Sequence, residues 1–415
     1  MCRAASPTII VGEVTTENEG TAGQGMTCHD GLNDGALHQG ATDAMPDLLD
    51  DLKHLICLES PSSDQSAVAA SARHIGGIVK NRLGVAPELI EVDGCSHLRL
   101  RFGAGPRQVV IITHHDTVWP LGTLARIPFS ITEGILRGPA CFDMKTGLAM
   151  AIHALSLLQQ SLPADGLDGV SLLITGDEEL GSHSSRSLIE EEARGCAAAY
   201  VLEASGDGGA LKTERKGVSL YRLTIEGRAA HAGLEPEKGI NAGIELAHQI
   251  LAATQLGDSE LGTSVTPTTL DAGSTSNTVP ADAHLSIDVR ACTATEQHRV
   301  DDAIRGLAPV LTGSEIAFSG GINRPPMEGT SSARLFARAV NLAGEMSLGQ
   351  LSSVAVGGGS DGNFTAGIGV PTLDGMGAVG GGAHAVSEHV IVDEIASRTA
   401  LLAALICDQL RQRNT

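Results

Sequence analysis

Seven residues in this chain carry the donor atoms that a hydrolytic metal centre needs, and they arrive in five separate places: His114-x-Asp116, Asp143, Glu178-Glu179, Glu203 and His384. Zinc takes imidazole nitrogen and carboxylate oxygen, and a pair of ions needs one bridging carboxylate plus about two further ligands each. Taken singly, each signal is weak, because an isolated His-x-Asp or Glu-Glu pair usually belongs to a solvated loop. Together they match the inventory of a two-metal site, and Gly-rich approaches such as Gly380-Gly-Gly-Ala-His384 leave the backbone room to reach it.

The elements that would position these residues are legible from the hydrophobic pattern. Val109 to Thr113, Leu172 to Thr175 and Tyr200 to Leu202 are short continuous apolar runs, as in strands buried on both faces. Each ends in a metal-capable group: His114-His115-Asp116, Asp177-Glu178-Glu179 and Glu203. Helical patterns intervene, notably Leu148 to Leu158, so the alternation predicts an α/β unit with a mostly parallel sheet flanked by helices. In such sheets ligands bind beyond the carboxyl ends of the strands. From Lys216 the pattern changes to strand (218–226), helix (241–254), strands (264–272 and 283–291), helix (295–307) and a short strand (315–319). That order is a split βαβ, ferredoxin-like α+β unit. After Arg324 the α/β character resumes and runs to a helix near Ile395 to Leu410.

This divides the chain into a tail (1–45) read as mobile, a catalytic part (46–215), an inserted domain (216–323) and a second catalytic part (324–415). Folded structure is expected from Pro46, where Leu48, Leu49, Leu52, Leu55 and Ile56 recur at helical spacing. The formal charge of −21 argues against nucleic acid or an anionic membrane as partner. Aromatic residues make up only 2%, which leaves the core to Leu, Ile, Val and Ala. Eight cysteines without a Cys-x-x-Cys pair fit reduced thiols, and no apolar run approaches the roughly 18 residues of a membrane span, so the expected location is cytoplasmic.

Four motifs together resemble the M20 metallopeptidase family, most closely its glutamate carboxypeptidase branch, over about residues 46 to 415. They are His114-His-Asp-Thr-Val118, Gly138-Pro-Ala-Cys-Phe-Asp-Met-Lys145, Thr175-Gly-Asp-Glu-Glu-Leu-Gly-Ser182 and Gly357-Gly-Gly-Ser-Asp-Gly362. The resemblance implies two zinc ions, replaceable by cobalt or manganese. Asp143 would bridge them, His114 and Glu203 would complete one site, and Glu179 and His384 the other. It also implies that Glu178 is the general base acting on a metal-bridging water, that Asp116 orients His114, and that the Asp143–Met144 peptide is cis. One departure stands out: Ala140 occupies a position where the family commonly has Gly.

The same resemblance assigns a substrate-binding set. Arg290 and Arg324 would bind the terminal and side-chain carboxylates, since a guanidinium pairs with a carboxylate through two parallel bonds. Asn277 and His231 would join them in binding the carboxylates and polarising the scissile carbonyl, His231 from the other subunit of a homodimer formed through the inserted domain. Gly358 and Gly359, in a loop that lacks the P-loop Lys, would meet the substrate through backbone groups. The expected substrate is an N-acyl amino acid or short peptide with a C-terminal glutamate-like residue. An aminoacylase or dipeptidase with a neutral preference is the alternative, and a catalytically inactive binding module is the reading of another class. The intact ligand and base positions oppose that last reading.

Overall fold

The computed structural model describes residues 34–412, and the first thirty-three residues of the expected tail lie outside them. The described end of that tail is helical. Asp34–Asp43 forms a helix whose Leu37 and Ala41, four residues apart, are buried against the C-terminal helix Asp393–Gln412. Two apolar side chains are too few to register as periodicity, which is why the sequence reading placed the start of folded structure later. The helix Met45–Cys57 follows, with Pro46 in its first turn and Leu48, Leu52, Leu55 and Ile56 buried.

The catalytic sheet has six strands. Glu88–Val92 (β1) and Cys95–Arg101 (β2) form an antiparallel hairpin at one edge, and β2 also runs antiparallel to its other neighbour. Val109–His114 (β3), Val170–Thr175 (β4), Ala198–Val201 (β5) and the short Thr372–Leu373 form the parallel block. The spatial order is β1-β2-β4-β3-β5 and then Thr372–Leu373. Strands β3, β4 and β5 are buried at every residue, as their unbroken apolar runs require. The helix Thr146–Ser161 is buried on nearly all sides in the centre of this unit. The segment Cys141–Ser161 is long and apolar enough to cross a membrane, but its burial inside the domain accounts for that composition.

Residues 217–324 form a second sheet of four antiparallel strands: Gly217–Glu226 (β6), Ser264–Ala272 (β7), Asp282–Ala291 (β8) and Glu315–Arg324 (β9), in the order β7-β8-β6-β9. Helices Ala242–Thr254 and Ala294–Arg305 pack on it around a separate core of Leu223, Ile225, Leu285, Ile287, Val300 and Ile304. The predicted order of six elements is therefore the observed one. The last strand is longer than expected because Ser319 to Arg324, despite two glycines, continues the pairing with β6. Among the described residues all six cysteines are free.

Candidate metal centre

Strands β3, β4 and β5 end side by side, and the register His114↔Thr175 between β3 and β4 sets the two motifs that follow them next to each other. His114 Nε2 lies 3.5 Å from Asp143 Oδ1 and 3.6 Å from Glu203 Oε1. His384 Nε2 lies 3.4 Å from Asp143 Oδ2 and 3.3 Å from Glu179 Oε1. The two oxygens of Asp143 thus face two different donor groups, one with His114 and Glu203 and the other with Glu179 and His384. The Asp143–Met144 peptide is cis.

These atoms fit cations and are poorly satisfied without them. His114 Nε2, Asp143 Oδ1 and Glu179 Oε1 are buried and have no hydrogen-bond partner. Burial, then the neighbouring Asp143, pushes Glu203 up to about 7. Burial also raises Glu178 well above the ordinary range, against the pull of Arg324. Asp143 and Glu179 draw His384 up to about 10. Carboxylates crowded together and against two imidazoles in an enclosed site are the setting in which a divalent cation supplies the compensating charge.

The surrounding shell was mostly invisible in the sequence. His114 Nδ1 bonds the main-chain carbonyl of Asp116 at 3.0 Å, while the Asp116 carboxylate stands off at 3.5 Å. That carboxylate instead accepts from the backbone N–H groups of Glu178 and Glu179, both at 3.2 Å, and from Ser62 Oγ at 2.7 Å. Asp116 therefore fixes the Glu178-Glu179 turn as well as lying beside the imidazole. Below this turn, Asp177 accepts from Ser184 and Ser185, and His97 bonds Ser184 Oγ and the Gly176 N–H. Buried His115 is held down near pH 4 by burial and bonds Ser71 and the Ser96 carbonyl, a packing role.

Glu388 is unmarked by any motif in the sequence, although it lies only four positions after His384. Its buried carboxylate accepts from the backbone N–H groups of Ala140, Phe142 and Asp143 and from Trp119 Nε1, at 2.9 to 3.0 Å. It clamps the loop that carries the bridging aspartate. Ala140 in that loop has φ 58°, the left-handed region where Gly is free and Ala costs about 1–2 kcal/mol. The family's usual glycine at this position has that physical reason.

Arg215 is likewise unmarked in the sequence, and it is buried where the catalytic part passes into the inserted domain. It forms two bonds to Asp374, at 2.7 and 3.1 Å, and lies 3.8 Å from Glu203. Its remaining donors go to the carbonyls of Gly358 and Gly359, at 3.1 and 3.2 Å, so those carbonyls are committed inward. A side chain on Gly359 would meet Arg324 Cδ at 2.8 Å, whereas one on Gly358 would meet nothing within 4 Å. The close approach that needs a glycine is thus at Gly359, and it is made to Arg324.

Arg290 and Arg324 line one pocket of about 260 Å³ with Glu178, Glu179 and Gly359, at the seam between the two units. Neither guanidinium is idle. Arg324 bonds Asp361 Oδ1 at 3.0 Å, Glu178 Oε1 at 3.0 Å and Ser182 Oγ at 2.9 Å, with its plane over Phe364. Arg290 makes two 2.8 Å bonds to Asp288, its same-face neighbour on β8. In-chain carboxylates thus already pair both arginines. His231 and Asn277 are exposed on the inserted domain, where Ala232 N–H donates to the Asn277 carbonyl, and neither lines this pocket.

Three strand ends of a mixed sheet thus converge on two carboxylate–imidazole groups, a donor set suited to a pair of metal ions. The profile of peptidase family M20/M25/M40 matches residues 110–408, and the chain belongs to that family. It is 30% identical to carboxypeptidase G2 of Pseudomonas sp. (strain RS-16), covering 90% of this chain and 92% of that protein. It is 26% identical to a succinyl-diaminopimelate desuccinylase of Delftia acidovorans, covering 83% and 93%. Among solved structures, a dinuclear metal-binding M20 peptidase of Bacillus subtilis superposes with a TM-score of 0.60 at 17% identity, covering 89% and 99% of the two chains. The protein is thus a hydrolase of the M20 type.

Proposed function

We propose that this protein is a two-zinc hydrolase that cleaves an amide bond and releases a C-terminal, glutamate-like amino acid from an N-acyl or short peptidyl substrate. The observation that carries the hydrolase reading is the pair of donor groups sharing Asp143. His114, Asp143 and Glu203 would hold one ion and Asp143, Glu179 and His384 the other; cobalt or manganese suit the same donors. Bound there, the ions supply Lewis-acid polarisation of the scissile carbonyl and acidify the attacking water.

The chain's own residues do the proton work. Glu178 is largely enclosed, is held in place by Arg324 at 3.0 Å, and takes a proton from the attacking water before passing it to the leaving nitrogen. The pocket beside it carries Arg324 and Arg290, which suits a leaving amino acid with two carboxylates. A carboxylate reaching Arg324 competes with Glu178 and Asp361 for the same fork. Gly359 shapes the floor beneath that arginine, while Gly358 lies beside it in the loop that Arg215 holds.

A second reading, an aminoacylase or dipeptidase with a neutral preference, is favoured by the in-chain pairing of both arginines. A neutral side chain then leaves no charge uncompensated. We also infer a cytoplasmic homodimer. Buried free thiols at Cys141, Cys196 and Cys407 support the first part. The second is supported by the outward edge strand β7 and the exposed Ile244 and Leu251 on the adjoining helix, with His231 and Asn277 as the residues offered to the partner's site.

Metal analysis and matched kinetics test the whole. Active protein is expected to carry two transition-metal ions per chain, lose activity to a chelator, and cleave N-acyl-Glu faster than N-acyl-Gln. Equal kcat/KM for the two substrates selects the second reading, and full activity without a transition metal removes both.

A further inference from the structure

The turn that carries His384 has a second face. Gly380–Gly381, His389–Ile391, Ile135–Arg137 and Ser130–Thr132 form a small four-stranded antiparallel sheet, in which Arg137 pairs with His389 on one side and Ser130 on the other. Arg137 Nη1 donates to the carbonyl of Ser387, inside the same turn as His384. Against this sheet lies a groove of about 340 Å³ lined by Arg126, Ile127, Pro128, Ser130, Arg137 and Val386. Val386 is two residues beyond His384, no more than about 7 Å away between Cα atoms. One turn therefore gives a metal-centre residue to the active site and a wall to the groove.

The lining chemistry is specific. Ile127, Pro128 and the 75% exposed Val386 offer an apolar floor. Arg126 and Arg137 have no carboxylate partner among the described residues, in a chain whose formal charge is −21. The arginines of the pocket beside Glu178 and Glu179 are, by contrast, already paired within the chain. Two guanidinium groups without a carboxylate partner, over a short apolar floor, suit an aliphatic chain that ends in a carboxylate, and they create a local positive field that the whole molecule lacks.

We propose that this groove, built by Arg126 and Arg137 beside the His384 turn, is the acyl-side subsite and selects acyl groups that terminate in a carboxylate. The assignment rests on the amide-hydrolase reading above and adds to it the class of acyl group. The leaving amino acid occupies the Arg290–Arg324 pocket, and the acyl chain runs in the opposite direction along the small sheet.

The test compares N-succinyl-glutamate with its neutral isostere N-succinamoyl-glutamate. The metal-loaded enzyme is expected to favour the succinyl compound about tenfold in kcat/KM, the size appropriate to two solvent-exposed charged contacts, and the preference should shrink with added salt. In the Arg126→Gln/Arg137→Gln protein the ratio should fall to about one, whatever happens to the absolute rates. Arg126→Gln alone, at an exposed side chain, should lower the ratio part of the way, and Lys at both positions should restore part of it. A ratio near one in the unmodified enzyme, or a preference that survives the double substitution, overturns the proposal and leaves the hydrolase reading standing. If neither compound is hydrolysed, the glutamate-releasing reading falls and the same pair is compared by direct binding titration. Tighter binding of the succinyl compound that disappears in the double variant keeps the groove assignment; equal binding or none overturns it.

Discussion

Glu178 and Glu179 are adjacent in the chain and take different parts because their oxygens meet different neighbours. Glu179 Oε1 faces His384, while Glu178 Oε1 faces Arg324. On the proposed reading Glu179 would hold a cation, while Glu178, bonded to Arg324 and raised above the ordinary range by burial, would move the proton. Glu178→Gln keeps the shape and removes the acceptor. It should lower kcat by about 10²–10⁴-fold. Metal content by elemental analysis should stay unchanged, and a parallel loss of metal would move Glu178 into the ligand set.

At the scale of elements, two buried carboxylates hold neighbouring segments in register. Glu388 joins the turn after His384 to the loop carrying Asp143. In Glu388→Gln one oxygen becomes an NH₂ facing backbone N–H donors, so the loop loses an acceptor and gains a repulsion. Metal affinity should fall by about 10–100-fold, with activity partly recovered at excess zinc in a metal titration. Glu192, on the helix Arg186–Ala193, ties that helix to the sheet: it accepts from Arg101 on β2 and from Ser171 on β4. Burial alone would raise its pKa, but Arg101 and Ser171 outweigh burial and hold it below the usual glutamate value. With a folded pKa depressed, its contribution is present above the unfolded value of about 4.3 and disappears as pH falls through the folded value. Glu192→Gln should therefore lose about 1–3 kcal/mol at pH 7, and its stability should depend less on pH below about 4, in urea unfolding at the two pH values. A constant gap between the two proteins at all pH values would refute the linkage.

For the whole molecule, the inserted domain leaves His231 and Asn277 exposed and outside the Arg290–Arg324 pocket of their own chain. If a second copy docks along β7 and its helix, those residues become available to the partner's site. Mixed dimers of His231→Ala and Glu178→Gln chains, each inactive alone, should then recover part of the activity in an assay after subunit exchange. His231→Ala by itself should cost on the order of 10²–10³ in kcat as the loss of one carbonyl-polarising donor. No recovery in verified heterodimers places His231 outside the shared site.

By itself the sequence determined which residues end the buried strands and what chemistry their side chains can do. A strand buried on both faces must read as an unbroken apolar run, so the polar residues at its end are conspicuous; His114, Glu179 and Glu203 stood out for that reason. The six-element order of the inserted unit was legible because its periodicity is local. Only the tertiary structure decided the partners. Arg215 meets Asp374 and Arg101 meets Glu192 across long stretches of chain, and Glu388 folds back on the Asp143 loop. No local pattern marks such pairs, because a buried charge is specified by whatever closes over it. The short helix Asp34–Asp43 is a similar case, held by packing on the C-terminal helix. Arg324 shows the division most sharply. Its position marked it as a carboxylate binder, but the carboxylates it meets within the chain are those of Glu178 and Asp361, because folding brings both within 3.0 Å of one buried guanidinium.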